Sequence, residues 1–266
     1  MGHHFHRENK RKRGIAGYFL AGLAGAACML ALTAFPSHGE NVTAGERVLN
    51  ETSSSQAAFS VLPHSSPTEE EDRTAPWYLR LVNKDHPLPP DFSVETVEAG
   101  EGRFDSRAAD ALSQMLSDME SQGLSPLVCS SFRTWEDQDS LYQTEVESHL
   151  EQGYSQEEAE QEAARWVVPA GTSEHELGLA ADIVASDYQM LEEEQENTPE
   201  QQWLMAHCAD YGFILRYPKD KTDITGVGYE PWHYRYVGTS AAQEITEQGL
   251  CLEEYWSAHF LQNGNS

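Results

Sequence analysis

The sequence predicts an α+β domain in which helices flank a small antiparallel sheet. Residues 76–266 contain helical patterns and short apolar strand patterns, but these do not alternate regularly as the units of a parallel sheet would. Most helical patterns come first and most strand patterns follow. The chain has 266 residues and no internal repeat, so it can hold one domain of ordinary size and a tail.

The first predicted elements alternate helix, strand and helix. Apolar residues recur at helical spacing over residues 106–122, and Gly123 follows where a helix would end. A short buried strand is predicted over residues 127–132. Thr134 is then placed to cap a helix that runs towards His149.

Two further helices carry clear starting patterns. Ser155 and Glu158 have the spacing of a capping box. Thr198 followed by proline begins another helix, which should end near Tyr211 because Gly212 can cap it. Strand patterns recur at residues 179–185, 213–217 and 232–237.

The N-terminal part predicts export and a connection to a membrane. Residues 1–14 are basic and are expected in the cytoplasm, and residues 15–35 are uncharged and long enough to cross a bilayer. They form either a signal anchor or a signal peptide cleaved after Gly39, and a lipid on Cys28 is a third alternative. Residues 36–75 are polar and predict a disordered tether. The remainder is then extracytoplasmic.

The overall charge argues against nucleic acid and anionic lipid as partners. The chain has 17 Lys and Arg residues against 44 Asp and Glu residues, which gives a formal net charge of −27. Both excluded partners require a basic surface. Much of the acid lies in residues 145–162 and 192–200, which we interpret as solvated helix faces and loops.

Three cysteines fall in the predicted domain, and none has the CxxC spacing of a metal site. They are either buried free thiols or include one disulfide, with Cys208 and Cys251 as the suggested pair. Cys129 is the third.

Two short segments contain the residue types of a catalytic zinc site. Such a site requires three protein ligands, an open position and a nearby base. His175, Asp182 and His233 are candidate ligands, and Glu230 is the candidate base. Because residues seven apart on a straight strand face opposite sides, Gly178 is expected to bend the chain between the first two ligands. Chemistry alone leaves a structural role for the two histidines equally open.

Six motifs in order carry a family resemblance; they lie at residues 81–84, 130–133, 171–175, 178–182, 211–217 and 230–238. With these motifs the chain resembles the VanY-type zinc D-alanyl-D-alanine carboxypeptidases, which trim the stem peptides of bacterial peptidoglycan. The resemblance implies the hedgehog/D,D-peptidase fold over the domain at 76–266. It also implies one zinc ion held by His175, Asp182 and His233, with Glu230 as the catalytic base.

The resemblance assigns roles to three more residues. Arg133 would hold the scissile carbonyl oxygen as negative charge develops there. Gln138 and Ser173 match positions that hold the terminal D-alanine of the substrate. Two positions depart from the family pattern: Glu176 stands where many relatives have Gln, and Ala170 where Pro or Gly is common. Glu176 would add negative charge near the metal.

The implied activity is direct hydrolysis that releases the C-terminal D-alanine of peptidoglycan stem peptides, without a covalent enzyme intermediate. Close relatives cut an L,D-bond in tetrapeptide stems, and the zinc motif does not distinguish the two. A non-catalytic cell-wall binding module is a further alternative. Such a module would not need Glu230 or Arg133, and both are present.

Overall fold

The computed structural model describes residues 75–261. The predictions of a cytoplasmic end at 1–14, a signal segment at 15–35 and a tether ending near residue 75 therefore concern residues outside this range. Within the described part, no helix is long and apolar enough to cross a membrane.

A four-stranded antiparallel sheet forms the centre of the domain. Its strands are β3 (Pro126–Ser130), β4 (Ala180–Ala185), β5 (Phe213–Leu215) and β6 (His233–Tyr236). They are arranged in the order β3-β4-β6-β5, so the last strand lies between β4 and β5. All four predicted strands are confirmed, with ends that differ by one or two residues.

A separate two-stranded hairpin precedes this sheet. It consists of β1 (Thr96–Ala99) and β2 (Gly102–Asp105), which are paired antiparallel. The expectation that helices come first is wrong at this point, since both strands precede the first helix.

Helices surround the sheet, as predicted. They are α1 (Ala109–Ser121), α2 (Trp135–Glu151), α3 (Gln156–Ala163), α4 (Pro199–His207), α5 (Thr222–Thr225), α6 (Thr239–Gln248) and α7 (Leu252–Trp256).

The predicted helix starts are confirmed in atomic detail. Thr134 accepts a hydrogen bond from the backbone of Asp137 at the start of α2, and Ser155 does the same for Glu158 in α3. The helix after Thr198 becomes a 3-10 turn at Cys208–Tyr211, and Gly212 then ends it with φ 84°.

The main core combines apolar residues of the hairpin, the sheet, α1 and α4; its largest members include Phe104, Leu112, Met115, Met119, Ile183, Leu204 and Phe213. Burial of each such side chain stabilises the fold by about 1.5–3 kcal/mol. Ile214 belongs to a second cluster, built with α6 and α7. Because neighbouring residues of a strand face opposite sides, the sheet is packed on both faces.

The structure decides the interpretation of the cysteines and corrects that of one acidic residue. Cys129, Cys208 and Cys251 are free thiols, so the structure has the free-thiol alternative and no disulfide between Cys208 and Cys251, although Cys129 is exposed and not buried. Glu200 was expected on a solvated face, but it is buried and accepts a hydrogen bond from the backbone of Ser125. The buried carboxylate thus has a backbone donor as its partner.

Candidate metal centre

His175 lies in a 3-10 turn, Glu174–Leu177, that leads into β4. Ser173 precedes the turn and accepts a hydrogen bond from the backbone of His175. Gly178 ends it in the left-handed conformation with φ 68°, and a Cβ there would lie 3.1 Å from the backbone nitrogen of Asp105. The expected bend is therefore present, and it requires glycine.

Strand pairing brings the other two candidate ligands together. Asp182 on β4 and His233 on β6 are direct partners across the antiparallel ladder. Directly opposed side chains on one face lie close to each other. The register of the sheet thus places a carboxylate and an imidazole, fifty-one positions apart in the sequence, at one site.

The three predicted ligands form a compact buried group. Nε2 of His175 lies 3.3 Å from Oδ2 of Asp182, and Nδ1 of His233 lies 3.0 Å from Oδ1 of the same carboxylate. One ligand atom from each residue can be chosen so that all lie within 4.8 Å of one another. Three side chains converging in this way match the ligand number of a catalytic zinc site.

The hydrogen bonds around this group also fit a metal. His175 donates from Nδ1 to the carbonyl oxygen of Ser131 at 2.7 Å, which leaves the Nε2 lone pair directed at Asp182. Oδ1 of Asp182 is buried without a hydrogen bond of good geometry, despite its contact with His233. Imidazole ligands of zinc are commonly oriented through their second nitrogen in this manner.

Burial and neighbouring charge set the protonation of the group. Burial and the nearby Arg133 lower the pKa of His175 to about 4, which keeps this imidazole neutral as a ligand must be. Burial opposes ionisation of Asp182, but hydrogen bonds from His175 and His233, and the positive charge of these rings when they are protonated, hold its pKa well below the usual value. For His233 burial is outweighed by Asp182 and Glu174, and its pKa rises to about 9.

Glu230 lies beside the candidate ligands, as predicted. Its Oε2 is 3.7 Å from Nδ1 of His233, and the backbone of His233 donates to the Glu230 carbonyl at 3.2 Å. Burial raises the pKa of Glu230 to about 8. A carboxyl group with such a pKa can exchange a proton near neutral pH.

Arg133 and Gln138 are brought to the same site. Nη2 of Arg133 lies 3.1 Å from Oδ2 of Asp182, and Nη1 donates to Oε1 of Gln138 at 3.0 Å. The amide nitrogen of Gln138 donates to the carbonyl of Val168 at 2.7 Å. Both ends of this buried amide are thus engaged within the protein, and they fix the orientation of the guanidinium.

A buried ion-pair cluster that the sequence patterns did not predict lies next to the site. Glu174 receives hydrogen bonds from Arg216 and Arg235, each at 2.7 Å. Glu176, which departs from the family pattern, accepts hydrogen bonds from the backbones of Gly171 and Ser173. The one feature of the sequence that could have indicated this cluster is that the motifs contain several charged residues.

Comparison with known proteins identifies the family. The family model for the D-alanyl-D-alanine carboxypeptidase VanY matches residues 101–239, more than half of the chain. A D-alanyl-D-alanine carboxypeptidase of Enterococcus faecalis is 43% identical over 180 residues. The match covers 67% of this chain and 65% of that protein, so the chain spans slightly less than two thirds of this relative.

Solved structures extend the likeness. A vancomycin-resistance D,D-pentapeptidase VanY mutant in complex with Zn(II) is 42% identical with a TM-score of 0.61, covering 68% of this chain and 99% of that one. VanYB in complex with D-alanine-D-alanine is 41% identical with a TM-score of 0.62, and the match covers 71% of this chain and 100% of that one. The L,D-carboxypeptidase LdcB is 35% identical with a TM-score of 0.57, and the match covers 66% of this chain and 84% of that one. The chain belongs to the VanY D-alanyl-D-alanine carboxypeptidase family.

Proposed function

We propose that this protein is a zinc-dependent carboxypeptidase that removes the C-terminal D-alanine from peptidoglycan stem peptides ending in D-Ala-D-Ala. The observation that carries the proposal is the convergence of His175, Asp182 and His233 with Glu230 beside them. Family membership adds the substrate class, because relatives that are 43% and 38% identical are named D-alanyl-D-alanine carboxypeptidases.

Zinc would be held by His175, Asp182 and His233, whose donor atoms and burial suit it. Bound there, it supplies Lewis acidity, which polarises a carbonyl and makes water a stronger acid. The neutral imidazole of His175 and the ionised carboxylate of Asp182 are the ligand forms that such an ion needs.

Glu230 is assigned the proton transfers. Its carboxylate takes a proton from the attacking water and then delivers it to the nitrogen of the departing D-alanine. Burial raises the pKa of this carboxyl towards neutral pH, the range in which a group can both accept and release a proton.

Arg133 is assigned the scissile carbonyl. Its guanidinium would donate to the carbonyl oxygen as negative charge develops, and each well-placed donor of this kind is worth about 3 kcal/mol. Gln138 supports this role by holding Nη1 of Arg133. We place Ser173 and Gln138 beside the terminal D-alanine, on the basis of the family pattern.

Cleavage of an L,D-bond in tetrapeptide stems is the second candidate. It is supported by the likeness to LdcB, a solved L,D-carboxypeptidase, although the identity is lower than for the D,D-enzymes. Matched stems, a pentapeptide ending in D-Ala-D-Ala and a tetrapeptide ending in one D-alanine, separate the two when released D-alanine is measured. Faster release from the pentapeptide supports our proposal, and release only from the tetrapeptide contradicts it.

We further propose that the enzyme works outside the cytoplasm, held by its N-terminal segment. The basic residues 1–14 and the uncharged residues 15–35 support a signal anchor, and the polar composition of 36–75 supports a tether. Cell fractionation tests this proposal. Recovery of the full-length chain with membranes, digestible by protease added to intact protoplasts, is expected, and recovery in the cytoplasm would contradict it.

A further inference from the structure

Glu174 is a buried carboxylate whose two oxygens have different surroundings. Its side chain is fully inaccessible to solvent. Oε1 accepts hydrogen bonds from Nε of Arg216 and Nη1 of Arg235, both at 2.7 Å. Oε2 has no hydrogen-bond partner among the described residues. Buried carboxylate oxygens are rarely left in this condition.

A nitrogen of a candidate metal ligand faces this oxygen and also lacks a hydrogen-bond partner in the described part of the chain. Nε2 of His233 lies 3.6 Å from Oε2 of Glu174 and is also buried without a hydrogen-bond partner. On the other side of the ring, Nδ1 faces Asp182 at 3.0 Å. A ring movement of a few tenths of an ångström would bring Nε2 into hydrogen-bond range of Glu174.

We propose that Glu174 is a positioning residue that keeps the proton of His233 on Nε2, so that Nδ1 is the atom presented to the metal. An ionised carboxylate can only accept hydrogen bonds, so the nitrogen facing it must carry a hydrogen. Once metal binding displaces the other proton of this ring, its lone pair would lie on Nδ1, beside Asp182. The inference rests on the proposed zinc site and adds to it the tautomer of one ligand.

The two arginines make this arrangement specific. Because both donate to Oε1, they leave Oε2 as the oxygen available to His233. Arg216 is itself held by two hydrogen bonds to Glu253, at 2.9 and 2.6 Å. Arg235 also donates to the backbone carbonyl oxygens of Tyr78 and Arg80. The carboxylate therefore has little freedom to rotate away from the ring.

The direct test uses the unaltered protein. Full-length protein with ¹⁵N-labelled histidine is loaded with zinc, and the nitrogen shifts and attached protons of His233 are recorded by NMR. The proposal expects a proton on Nε2 and the metal-bound shift on Nδ1. A proton on Nδ1 with metal on Nε2 would overturn it, whatever the activity of the enzyme.

Glu174→Gln provides the second test. Two arginine donors require the amide oxygen at the Oε1 position, so the amide nitrogen would point its hydrogens at His233 Nε2 and favour the wrong tautomer. Zinc affinity, measured by competition with a chelator, should fall about 10- to 100-fold, as for other changes to groups that orient metal ligands. Glu200→Gln makes the same chemical change at a buried glutamate that contacts neither the ligand group nor the two arginines, and the zinc affinity of that variant should equal that of the unaltered protein.

These measurements separate the inference from the proposed function. Unaltered protein that binds no zinc would overturn both. Unaltered protein that binds zinc, together with a Glu174→Gln variant of equal affinity and an unchanged His233 tautomer, would overturn the inference alone. Equal losses in the Glu174 and Glu200 variants would also overturn it, because they would indicate a general effect on the fold of replacing a buried carboxylate.

Discussion

Arg133 and His175 approach the same carboxylate oxygen of Asp182: Nη2 of the arginine lies 3.1 Å from Oδ2, and Nε2 of the histidine lies 3.3 Å from it. The imidazole of His175 and the guanidinium of Arg133 are thus positioned by the same carboxylate. A substrate carbonyl beside the metal would therefore also lie beside Arg133. Gln138 engages Nη1 at the same time, so the guanidinium is held in a defined orientation.

Arg133→Ala should reduce kcat by about 10²- to 10³-fold, the usual cost of removing one donor to a developing oxyanion. Zinc content should be retained, because all three ligands remain. Steady-state kinetics on a pentapeptide stem, with metal analysis of the same sample, checks this prediction. A variant with unchanged kcat would show that the carbonyl is not held by this residue.

Glu230→Ala should lower turnover by at least about 10²- to 10⁴-fold, the contribution typical of a positioned general base. The zinc stoichiometry should not change, since Glu230 is not among the three proposed ligands. Single-turnover assays on the zinc-loaded variant measure the loss directly. Near-normal turnover would remove Glu230 from the mechanism, and loss of zinc would make it a ligand instead.

His175→Ala should lose zinc, because two remaining side chains do not complete a three-ligand site. His149 offers a matched control: it is also a buried histidine, but it lies in α2 and is not part of the ligand group. His149→Ala should therefore retain zinc. Metal analysis after dialysis compares the two variants. Full occupancy in the His175 variant would contradict its assignment.

The ion pair between Glu253 and Arg216 should make stability depend on acid pH. Burial opposes ionisation of Glu253, but Arg216 outweighs it and lowers the pKa of this carboxyl below its ordinary value. A folded-state pKa below the unfolded value, about 4.3, gives stability that is complete above that pH and is lost as pH falls through the folded pKa.

Glu253→Gln should accordingly lower the free energy of unfolding by about 2 kcal/mol at neutral pH, the scale of a hydrogen bond to a charged group. The difference from the unaltered protein should shrink as pH falls below about 4.3. Urea unfolding at a series of pH values measures it. A difference that is constant from neutral to acid pH would count against this ion pair as the source.

Local patterns predicted most of the fold because their causes are local. Thr134 and Ser155 cap helices through contacts three residues away, and Gly178 bends the chain by its own backbone freedom. The hairpin of residues 96–105 was not predicted, since its strands are short and largely polar. Glu200 was misjudged because the N–H that it satisfies lies 75 residues away.

The site likewise combines residues that local patterns identify with contacts that form only in the folded chain. The ligand candidates could be named from residue type and spacing, and the resemblance supplied Arg133. The register that places Asp182 opposite His233 is a property of the folded sheet. The partners of Glu174 are 42 and 61 residues distant in sequence, so its role could only emerge from the three-dimensional structure.

Zinc-dependent release of D-alanine is the measurement that tests the central claim most directly. Full-length protein is stripped with a chelator, then supplied with zinc, and D-alanine released from a pentapeptide stem is followed, with zinc-loaded Glu230→Ala in parallel. We expect no release from the stripped protein, recovery on zinc addition and no recovery in the variant. Release that persists without zinc, or that continues in the Glu230 variant, would contradict a site in which His175, Asp182 and His233 hold the metal and Glu230 moves the proton.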